Sequence, residues 1–222
     1  MSSVTKVLNP AIAQNVFGRA LRETGQALDR LGLRIGASLA YETTLTRHRT
    51  IMPVGVDRKP EVADAFVAPT ASVIGNVRVA DGASVWYSSV LRADQVPNTI
   101  TIGANSNVQD RSVLSAQSGS IHIGEEVTIG HGALIDGHVS VGAKCLIGQG
   151  SILCESVTVG SGSIVAAGAV VLPRTEIPPG QMWAGNPAAF VRDVKAGETQ
   201  QFSAQATHYV ELAAQHKKEF SG

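Results

Sequence analysis

One feature constrains the fold more than any other: branched aliphatic residues recur at every sixth position. Ten such positions follow one another without a break: Ile123, Ile129, Ile135, Val141, Ile147, Leu153, Val159, Val165, Val171 and Ile177. Earlier blocks keep the same step, at Val67, Val73, Val79, Val85 and Leu91, and at Ile102, Val108 and Leu114. Neither a helix, with its period of 3.6, nor an alternating strand keeps a step of six for this long.

A step of six predicts short strands joined by tight turns, with three strands in each coil of about eighteen residues. Each aliphatic side chain then points inward and stacks on its counterpart one coil above, which produces a continuous core. The blocks do not join in register, because Ile102 lies eleven positions after Leu91 and Ile123 lies nine positions after Leu114. We therefore expect two loops to leave the coil, around "RADQVPNT" (92–99) and "SAQSGS" (115–120), where sites are often built.

The three faces of the predicted coil differ in the residue that follows each inward aliphatic. We name them face B, face C and face A in the order of Ile123, Ile129 and Ile135. On face B that residue is glycine on coil after coil, as expected at a tight corner, where a Cβ would clash. On face A it is never glycine in the column formed by Arg92, Ser115, Asp136 and Cys154. This column is predicted to border a site.

His131 does not belong to that column. It comes two residues after Ile129, which places it on face C between Asp110 and Gln149 of the neighbouring coils. A helix of stacked coils cannot easily turn His131 onto the Ser115–Asp136 column. If these residues share a site, two copies of the chain must meet there.

Composition excludes several classes of protein. Lysine and arginine (18) balance aspartate and glutamate (18), so no basic surplus favours nucleic-acid binding. The two cysteines, Cys145 and Cys154, are too few and too close for a disulfide framework, which indicates a reducing compartment. No apolar run reaches the roughly 18 residues needed to span a bilayer.

The chain resembles the γ-class carbonic anhydrases, and within them the γ-carbonic-anhydrase-like subunits of mitochondrial complex I. The matching strings are "ETGQALDRLG" (23–32), "RHRTIMPV" (47–54), "FVAPTASVIGNV" (66–77), "SVWYSSVLRAD" (84–94), "NVQDRSVL" (107–114), "VTIGH" (127–131) and "AGNPAAFVR" (184–192). They cover nearly the whole chain, and the first two resemble the complex I branch in particular. The resemblance implies an all-β fold, a left-handed parallel β-helix of hexapeptide repeats, assembled as a trimer.

The resemblance also implies that this chain lacks two of the three metal ligands of the active family members. Active members bind Zn²⁺ (or iron or cobalt) through three histidines, two from one subunit and one from its neighbour, and the metal lowers the pKa of bound water towards about 7. This chain keeps His131 at one ligand position but has Ser115 and Asp136 at the other two. Serine is a poor zinc ligand at neutral pH. We therefore expect no metal at Ser115 and Asp136, whereas His131 can complete a neighbour's zinc site.

Residues around the ligand positions match the family better, and the resemblance assigns them to orienting ligands or bracing the interface. They are Arg92, Asp94, Gln109 and Asp110. His138 lies two residues beyond Asp136 and does not restore the lost ligand; we interpret it as a surface or interface histidine.

The two ends of the chain lie outside the repeats. Residues 11–36 have apolar residues at three- and four-residue steps with four arginines between them, which predicts an amphipathic helix and resembles a mitochondrial targeting segment. Such a helix can lie on a membrane, dock on a membrane protein or pack on its own trimer. Residues 198–219 predict a second helix that packs on the side of the prism. The expected domains are an N-terminal helical extension (1–50), a β-helix (51–187) and a C-terminal helix (188–222).

These observations favour a structural or assembly subunit of the complex I membrane arm, peripheral on the matrix side of the mitochondrial inner membrane. Its expected partners are related γ-carbonic anhydrase subunits in a heterotrimer, membrane-arm subunits and, through the N-terminal helix, the membrane surface. The chain is not expected to be catalytic on its own. Two alternatives stay open: an active γ-carbonic anhydrase that hydrates CO₂, and a hexapeptide-repeat acyltransferase with an interface histidine such as His131 as general base.

Overall fold

A parallel β-helix of three sheets forms the repeat region in a computed structural model. The structure describes residues 17, 18, 20, 21, 23–28, 31, 50–54 and 58–220. Face A consists of β1 (Ile51–Met52), β4 (Ser72–Gly75), β7 (Val90–Ala93), β10 (Val113–Ser115), β13 (Leu134–Asp136), β16 (Ile152–Leu153) and β19 (Val170–Val171). Face B consists of β2 (Glu61–Val62), β5 (Val77–Val79), β8 (Ile100–Ile102), β11 (Ile121–Ile123), β14 (Val139–Val141), β17 (Thr158–Val159) and β20 (Glu176–Ile177).

Face C has one strand more than the other two faces. It consists of β3 (Phe66–Val67), β6 (Ser84–Val85), β9 (Asn107–Val108), β12 (Thr128–Ile129), β15 (Leu146–Ile147), β18 (Ile164–Val165), β21 (Gln181–Gly185) and β22 (Ala188–Asp193). Every neighbouring pair of strands is parallel except β21 and β22, which form an antiparallel hairpin. The predicted all-β solenoid is confirmed.

The aliphatic residues of the six-residue repeat form the core of the β-helix. All ten residues of the longest block, Ile123 to Ile177, are at most 2% exposed. Val67 is the exception among the earlier positions: it is only partly buried, because it lies on the first coil, where no coil covers it from below. Successive coils approach closely at the corners. A Cβ added at Gly148 would lie 2.3 Å from the backbone nitrogen of Ala167, so this corner has no room for a side chain.

In the C-terminal region, the predicted helix is present, but its predicted domain begins with a strand. The helix spans Glu198–Phe220, and its predicted inner side is buried at Phe202, Ala206 and Ala213. It packs on β3, β6 and β12 and so covers face C. Residues 188–193, which the predicted domain boundaries include in the C-terminal helix, instead form β22.

The N-terminal segment is a separate unit, residues 1–47 together with Gly222. Its described residues between 17 and 31 are helical, as the apolar spacing predicts, and the rest of the predicted helix 11–36 lies outside the described residues. Among the helices that the structure describes, none is both long and apolar enough to cross a bilayer.

Candidate functional site

The outward column on face A forms as predicted. Ser115 pairs with Arg92 on the coil below and with Asp136 on the coil above. The column continues at Cys154, which directly follows Leu153, the partner of Ile135. Asp136 is exposed, and Ser115 and Cys154 are partly exposed. Side chains on neighbouring strands of this kind stand about 4.8 Å apart, close enough to share one ligand.

Arg92 at the lower end of the column is held by its own chain. Its Nε and Nη2 both donate to Oδ2 of Asp94, at 2.8 and 2.7 Å. The hydrogen bond from Arg92 lowers the pKa of the Asp94 carboxyl, so the pair is ionised at neutral pH. Arg58 donates from Nη1 to the Asp94 carbonyl oxygen at 2.5 Å, and Oδ1 of Asp94 is buried with no hydrogen-bond partner among the described residues.

The corner between faces C and A carries His131, where the sequence places it. The backbone N–H of Gly132 donates to the Asp110 carbonyl, and that of Gly150 donates to the His131 carbonyl, which stacks the three turns directly. The Nδ1 atom of His131 lies 3.1 Å from Oδ2 of Asp110. A carboxylate in this position makes Nδ1 the protonated nitrogen of a neutral imidazole, and Nε2 keeps its lone pair for a ligand. The His131 side chain is 43% exposed.

Asp110 is itself fixed by a residue that the sequence did not indicate. The backbone N–H of Tyr87, one coil below, donates to Oδ1 of Asp110 at 3.0 Å. The Tyr87 hydroxyl lies 2.7 Å from Nδ1 of His216 in the C-terminal helix. Burial, and then the Asp110 carboxylate, raise the pKa of both Tyr87 and Tyr209. Asp110 therefore links His131 to the face that the C-terminal helix covers.

Gln109 follows β9 on face C, the face that the helix covers, and so does not lie beside Ser115 on face A. It is 4% exposed and donates from Nε2 to Oδ1 of Asn107 at 3.1 Å, and Asn107 donates from Nδ2 to Oγ1 of Thr128 at 2.9 Å. These two hydrogen bonds give each of the buried side chains of Gln109, Asn107 and Thr128 a hydrogen-bond partner. The structure thus brings Asp110 and His131 together on one corner, whereas Gln109 belongs to the helix-covered surface.

The two expelled loops fold against each other beside the face-A column. Asn98 donates from Nδ2 to the carbonyl oxygens of Ala116 and Gln117, at 2.9 and 3.0 Å. His138 is exposed, and a Cβ added at Gly119 would lie 2.7 Å from the His138 Cβ. The second loop therefore packs at Gly119 directly against the backbone and Cβ of His138.

A second outward column on face A was not predicted. Aliphatic residues lie in register one position before each inward residue, at Val90, Val113, Leu134, Ile152 and Val170. All are partly or largely exposed, and Leu134 reaches 38%. The matching column on face B is polar: Arg78, Thr101, His122, Ser140 and Thr158. Face A is thus the apolar outer face of the prism. The spacing of eighteen between Leu134, Ile152 and Val170 is the sequence signal that could have identified it.

The described residues of one chain do not by themselves fit a zinc ion. Among the residues that the structure describes, no group of three histidines, cysteines or carboxylates is close enough to hold a metal. The face-A column offers the carboxylate of Asp136, the thiol of Cys154 and the hydroxyl of Ser115, and His131 lies around the corner. Zinc sites need three or four N, S or O ligands of the right kind.

The fold and the repeat define a hexapeptide-repeat β-helix protein. A family model described as the hexapeptide repeat of succinyl-transferase matches residues 138–173, and the repeat fold of this family is a left-handed β-helix. A solved hexapeptide transferase family protein from Anaplasma phagocytophilum has a TM-score of 0.70 at 32% identity, over 74% of this chain and 96% of that chain.

Sequence similarity is closer to one branch of these proteins. The mitochondrial gamma carbonic anhydrase 1 of Arabidopsis thaliana is 45% identical over 90% of this chain and 74% of its own length. The mitochondrial gamma carbonic anhydrase-like 1 of the same plant is 45% identical over 78% and 70%. A probable carbonic anhydrase of Methanocaldococcus jannaschii is 43% identical over 66% and 91%. The chain belongs to the γ-class carbonic anhydrase family.

Proposed function

We propose that the chain is a structural subunit of a γ-carbonic anhydrase trimer, and that it does not hydrate CO₂ by its own face-A column. The observation that carries this proposal is the pairing of Ser115 with Asp136 at the two positions where the family pattern has histidines. A hydroxyl and one carboxylate leave a metal under-ligated even with a neighbour's histidine. No hydration step is therefore assigned to this column.

His131 retains what a ligand in trans needs. Asp110 orients the ring through Nδ1, which leaves the Nε2 lone pair available for a ligand. In a heterotrimer, this histidine can meet a neighbour whose column carries two histidines. When bound there, zinc would supply an activated water; this chain's part is to hold and orient one ligand.

The apolar outer column of face A supports assembly with chains of the same fold. A straight, rigid stripe of aliphatic side chains along the prism suits another straight surface of similar length. The names of the Arabidopsis relatives place those proteins in mitochondria. We extend that location to this chain and propose complex I, at the matrix side of the inner membrane, as the assembly, with the membrane-arm subunits as further partners.

Metal analysis together with CO₂ hydration tests the proposal directly. The purified chain should contain less than stoichiometric zinc and should not accelerate CO₂ hydration above the buffer rate. Stoichiometric zinc with rapid hydration by an assembly of this chain alone would overturn the proposal in favour of an active carbonic anhydrase with altered ligands.

An acyltransferase is a second candidate, because the Asp110–His131 pair is also the arrangement of an oriented general base. The solved relative from Anaplasma carries the name hexapeptide transferase. An acyl-CoA donor that binds the chain, and loses affinity or turnover in His131→Ala, would favour this function. Absence of acyl-CoA binding would remove it.

A further inference from the structure

Face A carries one exposed carboxylate to which the described part of the chain supplies no counterion. Asp136 lies in the outward column between Ser115 and Cys154 of the neighbouring coils. No ion pair or side-chain hydrogen bond joins Asp136 to any other described residue. Arg92, the cation of this column, is held instead by Asp94 at 2.7 Å. In water such a carboxylate needs no partner, but within an interface it does.

The proposed assembly buries this carboxylate. Leu134 and Asp136 lie two residues apart on β13, and both side chains point outward while Ile135 points into the core. A surface that covers the apolar column at Leu134 therefore also takes Asp136 out of water. A carboxylate buried without a partner destabilises an interface strongly. The covering surface must therefore supply a cation.

The corner between faces C and A carries a cation in the right place. The proposed function brings the His131 corner of one chain against the Asp136 column of its neighbour. Arg111 lies on that corner one coil below His131, because the N–H of Gly132 donates to the carbonyl oxygen of Asp110. The Arg111 side chain is exposed and has no ion pair within the described part of the chain. A long side chain readily covers the single coil step of about 4.8 Å.

Arg111 is also the only cation among the stacked turns of this corner that the structure describes. The matching turn positions on the other coils are uncharged: Ser88, Gly132, Gly150 and Gly168. Asp110 beside Arg111 is already engaged by His131 and by the backbone N–H of Tyr87. A guanidinium keeps its charge at neutral pH and can donate to both oxygens of a carboxylate, which suits an interface that excludes water.

We propose that Asp136 of one copy of this chain pairs with Arg111 of a second copy, so that an ion pair holds the interface where the column has no metal. The inference deepens the proposed function, and it rests on that function for the two surfaces that meet. A second copy fits face A because the two unpaired charges are opposite in sign and lie on those two surfaces. A neighbour without a cation on its corner would leave Asp136 buried and unpaired, and would bind more weakly.

A charge swap in the full chain tests the pair by sedimentation velocity. Asp136→Lys and Arg111→Glu should each raise the apparent dissociation constant of the assembly by about 30-fold or more, because each brings two like charges together. The double variant restores opposite charges and should recover at least about tenfold of that loss. Two exposed residues of face B supply the same charge changes as controls. Glu176→Lys and Arg78→Glu should leave the dissociation constant within about threefold of the parent value.

The possible outcomes separate this pair from the proposed function. If Leu134→Asp dissociates the assembly and the charge reversals do not, face A is the interface but the ion pair is wrong. If both reversals dissociate it and the double variant recovers nothing, Arg111 is not the partner of Asp136. A parent chain that sediments as a monomer overturns the contact between copies. Circular dichroism verifies that each variant is folded, and zinc content with the hydration rate tests the proposed function separately.

Discussion

At the scale of single residues, the two proposed ligand positions without a histidine lie side by side on one face, and His131 lies around the corner. Ser115 and Asp136 are strand neighbours, while His131 is held by Asp110 on the C–A corner. The Arg92–Asp94 ion pair lies at the lower end of the same column. Restoring two side chains should be enough to test whether a pocket survives.

Ser115→His combined with Asp136→His should raise the zinc affinity of the assembled protein by more than about tenfold, because two imidazoles on adjacent strands would face a neighbour's His131. Zinc affinity is measured by competition with a chelator. The matched control is Thr158→His with Glu176→His, which creates a strand-neighbour pair on face B that is not adjacent to His122. If both double variants bind zinc equally, or neither binds it better than the parent chain, the pocket has been lost with its ligands.

Residue spacing explains which contacts the sequence could predict. The Ser115–Asp136 neighbours are 21 residues apart, one coil plus the three extra residues of the second loop, and the block arithmetic recovers this. Tyr87 and Asp110 are 23 residues apart because the first loop adds five. Their contact joins a backbone N–H to a side chain, and nothing in a residue pattern identifies such a donor. The role of Tyr87 therefore required the structure.

At the scale of elements, the C-terminal helix is fixed to the hairpin by one carboxylate at its first turn. Glu198 accepts two hydrogen bonds from Arg192, at 2.7 and 2.8 Å, and one from the backbone N–H of Lys195 at 2.8 Å. The hydrogen bonds from Arg192, and then the one from Lys195, lower the pKa of Glu198 from 4.5 to about 2. A carboxylate at a helix N-terminus also interacts favourably with the helix dipole.

Glu198→Gln should lower the melting temperature at pH 7 by a few degrees. The pKa of Glu198 is lower in the folded state, so its stabilising effect is complete above the unfolded pKa of about 4.5. That effect is lost as the pH falls through about 2. The difference between parent and variant should therefore shrink as the pH falls below 4.5, as measured by circular dichroism. Glu211→Gln, at an exposed position of the same helix, is the control; a pH-independent difference for Glu198→Gln would contradict the assignment.

The hairpin of β21 and β22 shows where element prediction from the repeat stops. The step of six ends at Ile177, and the proline pair that follows gives no sign of another strand. β21 nevertheless adds to face C in parallel, and β22 then reverses against it. This closure depends on an antiparallel partner outside the repeat, so periodicity could not reveal it. The helix after it was predictable because its apolar spacing is its own signal.

At the scale of the whole β-helix unit, the three faces have different outer surfaces. Face B carries a polar column, face C is covered by the C-terminal helix, and face A carries the apolar column.

Leu134→Asp should therefore dissociate the proposed trimer, because a carboxylate would be buried without a partner. Thr158→Asp on face B is the control and should leave the assembly intact. Sedimentation velocity measures both; a Leu134→Asp protein that stays as large as the parent would place the interface elsewhere.

In the proposed heterotrimer, this chain contributes to two interfaces that are expected to differ in metal content. At one, its own Ser115 and Asp136 face a neighbour's histidine, and metal should be absent or weak. At the other, its His131 faces a neighbour's two histidines and can complete a zinc site. Removing a residue that only orients a ligand can lower metal affinity by about 10–100-fold, and removing the ligand itself lowers it further.

His131→Ala should therefore abolish metal at one interface of the purified heterotrimer and leave the other sites unchanged. Zinc per trimer, measured by elemental analysis, should fall by the occupancy of that single site. Asp110→Asn, which removes the carboxylate charge that orients the ring, should weaken the same site without removing its ligand. If His131→Ala leaves the zinc content of the heterotrimer unchanged, His131 is a packing residue, and this chain contributes nothing to a neighbour's metal site.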